Sequence, residues 1–106
     1  MQAHYHLIVY VPESLLEKVK EALFAIGAGR TAHYDSCCWQ SEGLGQFRPL
    51  EGSTPFVGEA GALHQDAEWK LEMLCDASVI HKVEAAIREA HPYEEPAFSL
   101  IPTMTL

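Results

Sequence analysis

This sequence is short of positive charge. Seven Lys and Arg stand against fifteen Asp and Glu, a formal net charge of −8 at pH 7, and the seven cations are scattered. Binding to nucleic acid needs cations clustered against phosphate, so partners of that kind are excluded. An apolar run of about eighteen residues is also missing, and no segment is expected to span a membrane. Met1-Gln-Ala-His-Tyr-His6 carries no basic stretch followed by an apolar one. No secretory leader is therefore expected, and the cytoplasm is the default compartment. Cysteine is too sparse for a disulfide framework: Cys37 and Cys38 are adjacent, Cys75 is alone, and the count is odd. That usage fits a reducing compartment.

What is present is one domain's worth of chain, residues 1–106, long enough to bury roughly 65% of its unfolded surface without crosslinks. It contains an internal repeat. An offset of 64 residues carries Leu7 onto Leu71, Val9 onto Met73, Val11 onto Cys75 and Ser14 onto Ser78. The same offset carries Val19 onto Val83, Ala22 onto Ala86 and Leu23 onto Ile87. Each copy changes period midway. Tyr5, Leu7, Val9 and Val11 alternate as a strand with one buried face does. Leu15, Leu16, Val19, Ala22, Leu23 and Ile26 then recur at helical spacing. Ser14 with Glu17 reads as a capping box at that helix's start, and Gly27 with Gly29 as its stop. In the second copy Trp69, Leu71, Met73 and Cys75 alternate. Val79, Ile80, Val83, Ala86, Ile87 and Ala90 then follow at helical spacing, with Pro92 ending the run.

Strand formers follow each helix, at 34–41 and 97–101. The predicted order is β-α-β-β-α-β, an α+β ferredoxin-like sandwich with one antiparallel sheet and both helices on one face. The other face would show Ile8, Tyr10 and Leu74 beside His4, His6 and Glu72, a partly apolar surface that favours self-association. Residues 42–65 form a long insertion between the second and third strands. Its Phe47, Leu50, Phe56, Val57 and Leu63 are too apolar for disorder, so it is expected to dock. Gly43-Leu44-Gly45 reads as a turn, after which Gln46-Phe47-Arg48 folds back as a small hairpin.

Several residue types could carry chemistry. His91, Tyr93, Glu94 and Glu95 stand between Pro92 and Pro96, where imidazole and carboxylate suit a divalent cation. The alternative is helix-end and turn chemistry, with His91 favouring the helix dipole. His33 and Cys37 could share one face of a strand, whereas Cys37 and Cys38 would point to opposite faces and make poor joint ligands. A His33–Cys37 dyad lacks an orienting third group and an oxyanion site, so no catalytic residue is assigned. His4 and His6 have chelating spacing without a third ligand. Gly43-Leu44-Gly45 lacks the glycine and helix start of a dinucleotide site. Arg48 and Glu51 of the insertion could stand at a cleft between subunits.

Three separated stretches resemble the YqfO family. They are 27–39, Gly27-Ala-Gly-Arg-Thr-Ala-His-Tyr-Asp-Ser-Cys-Cys-Trp39; 45–58, from Gly45-Gln-Phe-Arg-Pro-Leu-Glu51 to Phe56-Val-Gly58; and Ala90-His-Pro-Tyr-Glu-Glu-Pro96. In that family a domain of this type is inserted into a larger dinuclear-metal protein or stands alone. The fold it implies is related to the PII signalling and CutA cation-tolerance proteins, which form trimers, and 91–96 also looks like the C-terminal motif of CutA. The resemblance implies a homotrimeric binding or regulatory module. Its ligand would be a divalent metal ion or a small metabolite, held in clefts between subunits. The ligand contacts would be Tyr34, Cys37, Arg48, Glu51, Tyr93 and Glu94; the metal contacts would be His33, His91 and Glu95. Two departures count. The flanking domains that carry the family's metal-binding residues are absent, so hydrolase activity is not carried over. Ala32-His33-Tyr34 also stands where family members commonly have Gly-Asn-Tyr. The rival reading is a purely structural protein–protein interaction domain.

Overall fold

Strand β1 (Gln2–Pro12) supplies the central alternation of the sheet in the computed structural model, which describes residues 2–105. A single 3-10 turn leads into α1 (Leu16–Ala25), and β2 (Trp39–Phe47) and β3 (His64–Cys75) follow. A second 3-10 turn leads into α2 (Val83–Ala90), and β4 (Phe98–Thr105) closes the sheet. The sheet order is β2-β3-β1-β4, and every neighbouring pair is antiparallel. The ferredoxin-like β-α-β-β-α-β order expected from the repeat is the one observed.

The repeat's apolar positions meet across the β1–β3 ladder, where Leu7 faces Met73 and Val9 faces Leu71. Residues opposite one another in a ladder share a face, and all four are buried. The helices close over them with Leu16, Val19 and Leu23 of α1 and with Val83, Ala86, Ile87 and Ala90 of α2. Each large side chain buried this way contributes about 1.5–3 kcal/mol. The alternate positions, including Ile8, Tyr10, Leu74 and Trp39, face away from the helices.

Local details differ from expectation in four places. Ser14 does not cap α1. A 3-10 turn begins at Glu13, directly after the extended Pro12, and places Ser14 inside a turn rather than ahead of one. Strand β2 begins at Trp39 rather than Tyr34. Thr31 instead folds 30–38 into a loop, donating its N–H to the Tyr34 carbonyl at 2.8 Å and accepting the Tyr34 N–H on Oγ1 at 3.1 Å. Ser36 there adopts a positive φ of 55°. Cys37 and Cys38 consequently lie in a loop, both half-buried, rather than on opposite faces of a strand.

Gly43 and Gly45 are not a turn. Both lie in extended β2, opposite Glu68 and Asp66. Strands β2 and β3 run past the end of β1, whose Pro12 faces Glu68, as a two-stranded arm ending at the Phe47–His64 pair. Of the segment 42–65, then, both ends belong to the sheet and the loop proper is 48–63. Strand β4 extends to Thr105, beyond the 97–101 expected. Among the described residues, no helix is long and apolar enough to cross a membrane.

Candidate functional site

Helix α2 ends at the edge of the sheet where β1 finishes and the arm begins. His91 follows it and is 2% exposed. Its Nε2–H donates to the Tyr10 carbonyl at 3.1 Å, while its Nδ1 is buried without a partner. Burial pulls the His91 pKa below its ordinary value of 6.5, and the bond to Tyr10 works the other way. Between pH 6.5 and that lowered value, the unfolded chain takes up a proton that the folded chain does not. The His91 contribution to stability is therefore complete above pH 6.5 and is lost as pH falls towards the folded value. We expect His91→Gln to flatten this part of the acid sensitivity, read as urea midpoints at about pH 7.5 and about pH 5.5. A wild-type midpoint that drops no more than the variant's between those conditions would reject the assignment.

From His91 a line of rings runs outward. Tyr93 packs edge-on against His91 at 4.6 Å between centroids. Phe47 of the arm stands 6.2 Å from Tyr93, and Phe56 of the loop stands 6.4 Å from it. Phe47 also packs at a tilt against His64, with 5.0 Å between ring centroids. Glu94 joins the loop to this segment: its carboxylate accepts the Thr54 N–H and the Thr54 hydroxyl, each at 3.1 Å. Two stretches forty residues apart in the chain are thereby clasped over a cavity of about 530 Å³. Tyr10, Phe47, Phe56, Glu68 and Tyr93 form much of its wall, with Arg48 and Glu95 among the charged residues that line it.

Strand periodicity brings Glu68 to this wall. His64, Asp66 and Glu68 alternate on one face of β3. The Glu68 carboxylate lies over Gly45, where any side chain would collide with it. Burial chiefly, and the neighbouring Asp66 charge next, push the Glu68 pKa up, while His64 opposes them. Burial also raises the Tyr93 hydroxyl, with help from Glu68 and Asp66.

Of the residues singled out from sequence, Arg48, Tyr93, Glu94 and Glu95 meet at this cavity. Glu51 lies on an exposed turn of the same loop and outside the lining. Tyr34, Cys37 and His33 belong to the 30–38 loop at the opposite end of the sheet. Cys37 there lines a shallower cleft of about 490 Å³ with His6, Trp39 and Glu72. His6 turns to Glu72 at 3.1 Å rather than pairing with His4. The proposed metal contacts His33, His91 and Glu95 are not brought together. Among the described residues no three His, Cys, Asp or Glu side chains are grouped to hold a metal ion. The orphaned Nδ1 of His91 is one donor without companions among the described residues, which do not fit a divalent ion within one subunit. Phe56, expected only to dock, lines the cavity, and Glu68 and Thr54 join the site without having been singled out. The spacing His64-x-Asp66-x-Glu68 was the available signal for Glu68.

Comparison with known proteins places this geometry. The family profile described as CutA1 divalent ion tolerance protein matches residues 59–105. The PII-like protein CutA of a Nostoc species superposes with a TM-score of 0.65 at 19% identity, over 92% of this chain and 78% of that one. The fold is CutA-like and PII-like. A crystal structure of a Bacillus cereus protein related to NIF3 superposes with a TM-score of 0.84 at 36% identity. That match covers 98% of this chain and 26% of the other. The GTP cyclohydrolase 1 type 2 homolog of Halalkalibacterium halodurans is 44% identical over 98 residues, 92% of this chain and 26% of that protein. The chain thus spans about a quarter of the length of the curated relatives it matches.

Proposed function

We propose that this chain is a self-associating binding module that assembles as a trimer and holds a small metabolite in the cavity beneath loop 48–63. The observation that carries the reading is the clasp of Glu94 on Thr54, which holds two distant stretches over a cavity whose volume is in the range of small-molecule sites. The open sheet face supports self-association. Trp39, 70% exposed, stands there with Tyr10, Leu74 and Ile101, and a face of this kind favours a partner. A neighbouring subunit's 30–38 loop would add Tyr34, Cys37 and His33 to a cleft that already holds Arg48, Tyr93 and Glu95. The relatives' names speak of divalent ion tolerance and of a cyclohydrolase homolog. Among the described residues no three His, Cys, Asp or Glu side chains are grouped for a metal, and no catalytic group is assigned. Three free cysteines support a reducing, cytoplasmic setting.

Native mass spectrometry of wild type and Leu74→Glu tests this. We expect a three-subunit mass that releases a small molecule on denaturation, and a monomer for the variant. A wild-type monomer would sink the assembly. A trimer that retains nothing would overturn the ligand and favour the rival, a structural interaction domain built on the same exposed face.

A further inference from the structure

We infer that the ligand of this cavity is an organic cation, an ammonium group carrying apolar substituents. The inference rests on the cavity being a ligand site at all. Its first support is the arrangement of rings. Tyr93 lies between Phe47 and Phe56 at 6.2 and 6.4 Å, with interplanar angles of 58° and 38°. Non-parallel rings that line one space can present their electron-rich faces to a shared occupant, the geometry by which alkylated ammonium groups are recognised.

The second support is charge. Glu68, Glu94 and Glu95 line the cavity against the single guanidinium of Arg48. Glu94 is engaged by Thr54. Among the described residues, Glu68 and Glu95 have no Lys or Arg within ion-pair distance. The Glu68 carboxylate lies along the wall where Gly45 leaves room for it. Burial chiefly, and neighbouring carboxylates next, make Glu68 and Tyr93 hold their protons more tightly than usual. Three carboxylates against one guanidinium leave the cavity net negative, and a cation entering it would relieve that field.

The other ligand classes fit less well. A bare divalent ion needs several oxygen donors converging, and no such cluster is present among the described residues. An anion would meet Glu68. A neutral apolar molecule would satisfy the rings and leave the carboxylate buried without a partner.

The test titrates the full chain with choline and with its neutral carbon isostere, dimethylbutanol, following Tyr93 and Phe47 side-chain resonances. Choline should bind roughly tenfold tighter than the isostere. Glu68→Gln should remove most of that preference, and the variant's unperturbed spectrum away from the cavity checks its folding. Arg48→Ala should tighten choline by removing a like charge. Equal binding of the two probes overturns the inference while leaving a small-ligand cavity intact. A preference unchanged in Glu68→Gln overturns it as well, as does the absence of any shift with choline. The retained mass in the native trimer decides the underlying reading independently of either probe.

Discussion

Replacing Leu71 by Ala should lower the free energy of unfolding by about 2–5 kcal/mol, a large share of the roughly 5–15 kcal/mol that holds a small domain together. Leu71 is fully buried. It lies on β3, an interior strand, facing Val9 of β1 on one side and Gln40 of β2 on the other. A strand flanked by ladders on both sides cannot close on a void by sliding, since any shift breaks hydrogen bonds along its length. The removed methyl groups should therefore leave most of their volume empty. Urea unfolding gives the readout, with the midpoint falling and the slope unchanged. Leu44→Ala is the control, because Leu44 lies exposed on the adjacent arm and surface changes usually stay within about 0.5 kcal/mol. Equal losses in the two variants would show that Leu71 does not sit in a close-packed core.

Gly29→Ala should be comparably damaging for a different reason. Gly29 has a φ of +71°, a conformation that costs a residue with a Cβ about 1–2 kcal/mol. A Cβ would also stand 2.5 Å from the carbonyl oxygen of Cys37 and 3.2 Å from its nitrogen. Those atoms cannot turn aside as a side-chain end could. The Cys37 N–H donates to the Gly29 carbonyl at 2.9 Å, and the Gly29 N–H donates to Leu74 at 2.9 Å. Strain and clash together should exceed the strain alone, which Gly52→Ala isolates: Gly52 has a φ of +90° with open space where a Cβ would go. Thermal unfolding should rank Gly29→Ala well below Gly52→Ala. Faster labelling of Cys37 and Cys38 by a thiol reagent should accompany the loss, because the 30–38 loop is anchored through Gly29. Equal melting temperatures for the two variants would show that the loop yields freely.

The core was legible because burial is periodic. Leu7, Val9, Leu71 and Met73 declare one face of two strands, and Val19, Leu23, Val83 and Ile87 declare the helices that cover it. The same alternation restricts register, since a slip of one residue would turn the apolar set outward. The 91–96 segment was legible as a site candidate from its composition. The 30–38 loop was not, because Tyr34 and Cys37 favour strands while the Thr31 bonds and the positive φ of Ser36 are decided by local geometry. Gly43 and Gly45 signal a turn by composition, yet both are extended, and Gly45 makes room for the Glu68 carboxylate. That role shows only once Glu68 is seen across the ladder. Loop 48–63 has no period at all, so which of its side chains would meet Tyr93 and Glu94 could not be read from spacing.

Gln2 and Thr105 form a register pair between β1 and β4, so the two ends of the described chain leave the molecule side by side, about 5 Å apart. A linker of a few residues could join them at small entropic cost. A circular permutant opened within loop 48–63 could keep the same four-stranded order. The same proximity makes the unit a cassette: a host protein can splice it into a single surface loop without separating the two halves of its own backbone.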